Sequence, residues 1–244
     1  MPEPLAITRL LNAIFGPAVS GLLGVLGIHP ANAAAPINDA FALELLVAGG
    51  LIAFFVLVRL TLSVEKPNPA QQIAELIHDF TGSNAEQIIG HGYERFQAFV
   101  TCIFLFVVLN NLLGLIPGIE TPTKSPVVPL GIAVLTFLYY NFHGLREQGV
   151  VGYMKHFAGP VWWIAPLLFP IEIISHCARM MSLTIRLYAN MFASDLVTLV
   201  FFSLFPLAIP AVFLGLHFAV SLIQAYVFML LATIYVSMAV SHEH

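Results

Sequence analysis

Charge is scarce in this chain. Lys, Arg, Asp and Glu make up 9% of its 244 residues, against 59% hydrophobic, where a soluble domain carries about 25% charged residues. That balance excludes a soluble enzyme domain and predicts an integral membrane protein built of spanning helices. The net charge of -4 is small and scattered, so nucleic acid finds no basic patch to bind. Cysteine is nearly absent. Cys102 and Cys177 both lie in apolar segments, which excludes a disulfide framework or thiolate metal site and reads as packing. His143, His176 and His217 fall in or beside apolar stretches, but there is no HExxH and no two-histidine spacing repeated on a pair of helices. No metal, haem or other cofactor is expected.

What is present is a series of apolar runs. Residues 1–35 end in ANAAA and resemble a signal peptide, yet Gly16, Pro17, Gly21, Gly24 and Gly27 also suit an interfacial or re-entrant segment. We expect a membrane-associated N-terminal segment on the non-cytoplasmic side, followed by a single membrane domain over 41–244. Spans are expected at 41–62, 96–116 and 128–146. Arg59, Lys66, Arg146 and Lys155 fall on one side of them and Lys124 alone on the other, so the positive-inside rule puts the N-terminus outside. Between the first two spans, Asn68, Pro69 and Gln71 read as N-cap, first helical residue and capping box. The helix they open, over 69–90, carries Ile73, Leu76, Ile77 and Phe80 on one stripe and is too polar to span; it is expected to lie along the interface. The stretch from Ile164 to Val240 is almost continuously apolar, broken most clearly at Pro206 and Pro210. Its first half would make a helix of roughly 60 Å. That is two spans, or one helix at an unusual tilt; hydropathy favours two.

Arg186 is the most telling residue. It sits between long apolar runs with no acid nearer than Asp195, and a guanidinium cannot shed its charge. At bilayer depth that costs about 2.5–3.5 kcal/mol on insertion scales, so a functional role is expected. If the helix is continuous, Glu172, Ser175, Ser182, Arg186 and Asn190 share one face, while Asp195 points to the other. Downstream, His217, Ser221 and Gln224 share a face through spacings of four and three. A hairpin near Pro206–Pro210 would bring the stripes together, with Arg186 and Gln224 at similar distances from the turn. Titratable and hydroxyl groups strung through a membrane suit a proton relay, and histidine titrates near neutrality. Each has a plainer reading: serines bond their own helix carbonyls, Asn190 and Gln224 glue helices, His176 packs, and Arg179 snorkels to a headgroup. A secondary transporter holding an anionic substrate at Arg186 is the main alternative, but the chain lacks the internal repeat such folds show. A purely structural scaffold leaves Arg186 unexplained.

MSLTIRLYANMFASDL and LHFAVSLIQAYVFMLLATIYVSMA closely resemble subunit a of rotary F-type ATP synthases, as do NNLLGLIPGIETPT, GYMKHFAGP, LFPIEIIS and the terminal SHEH. The resemblance runs from about Glu65 to the end and leaves residues 1–40 uncovered. It implies an all-α fold of five spans plus a lateral amphipathic helix. The last two spans, 165–205 and 208–240, would form a long, steeply tilted hairpin against a ring of c subunits. By carry-over Arg186 is the essential stator arginine. Asn190, Asp195, His217 and Gln224 line an outer proton half-channel, and Glu172, Ser175 and Ser182 an inner one. The implied partners are the c-ring, the peripheral-stalk b subunits, the rest of the synthase and the lipid bilayer of a bacterial inner membrane, with the C-terminus cytoplasmic. The subunit itself would perform no bond chemistry. Three departures stand out. Ala189 replaces a usual Gly, and Asp195 replaces a longer Glu or a His. Lys124-Ser125-Pro126 stands where an Asp-Asn pair is usual, which points to another outer mouth at Glu120 or Glu44.

Overall fold

Helices carry almost the whole chain, because hydrocarbon leaves backbone amides no partner but each other. In the computed structural model, which describes residues 5–25, 35–116, 119–158, 163, 165–204 and 209–240, they are α1 (Ala6–Val25), α2 (Asp39–Leu60), α3 (Pro69–Ile89), α4 (Glu94–Leu113), α5 (Val127–Ala158), α6 (Ala165–Leu204) and α7 (Ile209–Val240). A single 3-10 turn, Pro122–Lys124, links α4 to α5, and there is no strand among the described residues. Five helices, α2 and α4 to α7, are long and apolar enough to cross a membrane. The all-α membrane fold read from the sequence is therefore what the chain adopts.

The long apolar stretch resolves as one helix. α6 runs 40 residues without a break, with Pro170 inside it, although hydropathy alone favoured two spans. Proline six residues into a helix loses one amide bond near the end that is least constrained. The turn expected at Pro206 lies outside the described residues. α5 outruns its expected end and reaches Ala158, but Gly149 breaks it with φ 70° and ψ 161°. Only glycine enters that region without strain, so the spanning part ends there.

The core lies where α4, α5, α6 and α7 meet. Ile103 and Val107 of α4, Ile132 of α5, Leu187 and Met191 of α6, and Phe228 of α7 form its centre. On α6, the buried side chains Leu183, Leu187 and Met191 recur every four residues, one narrow stripe facing the bundle. The remainder of α6 is bare: 11% of its apolar stretch is enclosed by the rest of the chain, against 56% for α4.

α1 docks on the start of α2. The Asn12 side-chain amide pairs reciprocally with the backbone of Ile37, donating to its carbonyl at 2.9 Å and accepting from its N–H at 3.0 Å. Thr8 Oγ1 and the Leu5 N–H both donate to Asp39 Oδ1. α3 corrects two expectations. Asn68 is its N-cap and Pro69 its first residue, but Asn68 makes no side-chain capping bond. Gln71 turns back instead: it accepts from the Ser63 N–H at 3.0 Å and donates to the Ser63 carbonyl at 3.1 Å. The preceding turn thus takes the amide that a capping box would have used. α3 packs with its small polar face, through Thr81 and Thr101 at 2.7 Å, and leaves Ile73, Leu76 and Phe80 exposed. Cys102 and Cys177 are also exposed, so neither packs the core.

Candidate functional site

The polar groups gather at two places along α6, with Arg186 between them. Asp195, nine residues beyond Arg186, turns inward towards the 3-10 segment and α7. Thr121 Oγ1 donates to its Oδ1 at 2.9 Å, and His217 Nδ1 lies 3.4 Å from the same oxygen. His217, 1% exposed, also meets Ser194 Oγ at 2.9 Å through Nδ1 and the Asn111 carbonyl at 3.3 Å through Nε2. A carbonyl only accepts, so Nε2 carries a hydrogen. The neutral ring then accepts from Ser194 at Nδ1, and the protonated ring presents Nδ1–H to Ser194 and the Asp195 carboxylate. Asn111 is itself held, accepting from Thr123 Oγ1 at 2.7 Å and donating to the Ser221 carbonyl at 3.4 Å. Its neighbour Asn110 donates to its own helix at Phe106 and leaves Oδ1 buried without a partner among the described residues.

Gly114 makes this cluster possible. A Cβ there would overlap Thr121 Oγ1 and stand 3.2 Å from His217 Nε2, so any larger residue would push the loop off the bundle. The sequence reading missed Asn111, Gly114, Thr121, Thr123 and Ser194. The helical spacing of four and three that drew attention to His217, Ser221 and Gln224 has no counterpart among these residues.

The α6–α7 stripes do meet, one turn away from where the sequence suggested. Gln224 accepts from Asn190 Nδ2 at 2.8 Å. Among the described residues it makes no bond with Arg186. Beside this pair a cavity of about 380 Å³ opens between the two helices, lined by Asn190, Ser194, Thr198, Leu216, Val220 and Gln224. Ser221 is fully buried against Met191, with Oγ 4.0 Å from its sulfur.

At the other end, Glu172 Oε1 lies 3.4 Å from His176 Nε2 and 3.7 Å from Arg179. The Arg179 guanidinium also stands 5.8 Å over the Tyr235 ring. Arg179 thus has partners inside the chain. Ser175 is half-buried and Ser182 exposed; neither side chain hydrogen-bonds among the described residues, so the helix-carbonyl reading does not hold for them. Of the two residues suggested as another mouth, Glu120 is ion-paired with Lys124 at 2.8 Å, and Glu44 is half-buried on α2.

Arg186 lies on the exposed face of α6. Apolar side chains near it are uncovered too: Met181 56%, Ile185 54% and Phe192 45% exposed. Among the described residues it has no hydrogen bond or ion pair.

A sequence model of the family described as ATP synthase A chain matches residues 42–237. The chain belongs to that family. It is 52% identical over the full length of both chains to ATP synthase subunit a of Koribacter versatilis (strain Ellin345). To ATP synthase subunit a of Solibacter usitatus (strain Ellin6076) it is 44% identical, over 96% of this chain and all of that one. To the Helicobacter hepaticus (strain ATCC 51449 / 3B1) subunit a it is 40% identical, over 80% and 89%. Family membership and five helices apt to span make it a multi-pass membrane subunit of an ATP synthase.

Proposed function

We propose that the chain is the proton-translocating stator of a rotary ATP synthase. It offers two offset half-channels to the carboxylates of a c-subunit ring and separates them with Arg186. The observation that carries this reading is a guanidinium on the uncovered face of α6 with no partner among the described residues. A cation that expensive in hydrocarbon is retained where a partner brings the opposite charge to it.

The Asp195 end, with Asn190, His217 and Gln224, serves as the outer route, reached through the α6–α7 cavity. The Glu172 end, with Ser175 and Ser182, serves as the inner one. A rotor carboxylate arrives protonated from lipid and releases its proton to the inner route. It is then briefly anionic beside Arg186, whose charge offsets the anion's desolvation. A proton from the outer route neutralises it, and it re-enters lipid. Arg186 also repels protons that would pass directly between the routes. Each proton crossing 100 mV releases about 2.3 kcal/mol, which rotation carries to catalytic subunits elsewhere. The subunit would therefore catalyse no bond chemistry itself, and would meet the peripheral-stalk b subunits on other faces. The N-terminus lies outside and the C-terminus in the cytoplasm of a bacterial inner membrane.

Arg186→Ala in the assembled complex, in membrane vesicles, is expected to abolish proton-driven ATP synthesis while the subunit still assembles. Wild-type synthesis in that variant would overturn the reading.

A further inference from the structure

Glu172 does not stand alone at its end of α6. His176 is wedged against it, between its own helix and α5. The imidazole stacks on Tyr140 of α5, with centroids 5.8 Å apart and planes at 25°, and takes the edge of Phe137 at 6.4 Å. Its Nδ1 is 3.0 Å from the Tyr140 hydroxyl, and its Nε2 is 3.4 Å from Glu172 Oε1. Tyr140 is 2% exposed, so the hydroxyl bonded to the ring is held in place. Among the described residues, the titratable and charged groups on the elements packed here are Tyr140 on α5, Glu172 and Arg179 on α6, and Tyr235 on α7 beside Arg179 and Tyr140. Simple packing of a histidine would be met by the aromatic contacts. It does not call for one ring nitrogen aimed at a carboxylate and the other at a fixed hydroxyl.

From the contacts of α5 and α6 on His176 we infer that it is a positioning residue for Glu172 that makes proton release at the inner route depend on inner pH. The inference rests on the stator reading. When the ring is neutral, Arg179 is the one cation within 4 Å of the carboxylate among the described residues. When the ring takes up a proton from inner water, it becomes imidazolium. Tyr140 then accepts from Nδ1–H, and Nε2–H faces Glu172. A second positive charge now stands beside the acid and repels the next proton arriving from the rotor. Inner acidification therefore slows release through the range in which histidine titrates.

The test uses the complete synthase in inverted vesicles, so that the medium bathes the inner side. Passive proton flow is followed at constant pH difference while medium pH is varied from about 8 to about 6. Wild type is expected to lose flow on acidification. His176→Gln, which keeps a polar contact without the charge, should reduce that loss at least about twofold, and His176→Phe, which keeps the stacking on Tyr140, should do the same. A wild-type pH profile in both variants, with Glu172→Gln still slowing flow, overturns the role of His176 alone. Unchanged flow in Glu172→Gln overturns the inner-route assignment beneath it. If His176→Gln fails to assemble, the His176→Phe profile decides by itself.

Discussion

The two ends of α6 solve the same problem in opposite ways. At Asp195 the carboxylate is enclosed by groups from far along the chain: Thr121 from the loop, His217 from α7, and Asn111 of α4 behind that histidine. At Glu172 the charged partners are close in sequence, His176 and Arg179 on the same helix, and the side chain is 31% exposed against 21% for Asp195. One carboxylate is held by tertiary structure, the other by helical periodicity. On the proposed stator reading, this difference would make the Asp195 route narrow and many-membered and the Glu172 route short and open.

The comparison is most sharply tested by neutralising each acid in turn. Asp195→Asn is expected to slow proton flow about tenfold, since hydrogen bonds to a charged group contribute about 1.5–3 kcal/mol and about 1.4 kcal/mol is a factor of ten. Glu172→Gln should slow it only about two- to threefold, because solvent screens the more exposed site. Rates measured in energised vesicles would invert the comparison if Glu172→Gln proved the slower. Next in size, Gly114→Ala forces a methyl into Thr121 and His217 and should destabilise the subunit by about 1–3 kcal/mol, read as a lower unfolding temperature of the purified complex with reduced flow. An unchanged complex would mean that the loop is not held against α4 as described. Smallest is Thr121→Val, which removes one donor from Asp195 and keeps the shape. Flow should fall about twofold, the lower end of the 0.5–1.5 kcal/mol for one hydrogen bond. No matching substitution at the Glu172 end removes a loop contact, because none is there.

How far the sequence disclosed these two ends follows from the same contrast. Hydropathy located the spanning helices, and Arg186 announced itself because no acid lies within a turn or two to explain it. Spacings of three, four and seven put Glu172 with Ser182 and His217 with Gln224, since helical faces are local arithmetic. The enclosure of Asp195 was illegible because Thr121 and Asn111 reach it or its histidine across 74 and 106 residues. Nothing local marks a threonine for such a contact. The surroundings of His176 were half legible for a related reason: its offset of four from Glu172 was visible, but its stacking on Tyr140 belongs to another helix. The continuity of α6 was open on hydropathy alone, and only the family resemblance leaned the right way.

The break at Gly149 has a mechanical meaning for α5. Immediately before it, Gln148 Nε2 donates to the Ala239 carbonyl near the end of α7 at 3.1 Å, and Arg95 of α4 grips Glu147 at 2.7 Å. The span is thus moored at its rim by two neighbours, one residue short of a swivel. A change of backbone direction placed just past those two ties separates the 150–158 arm from the span that carries Tyr140.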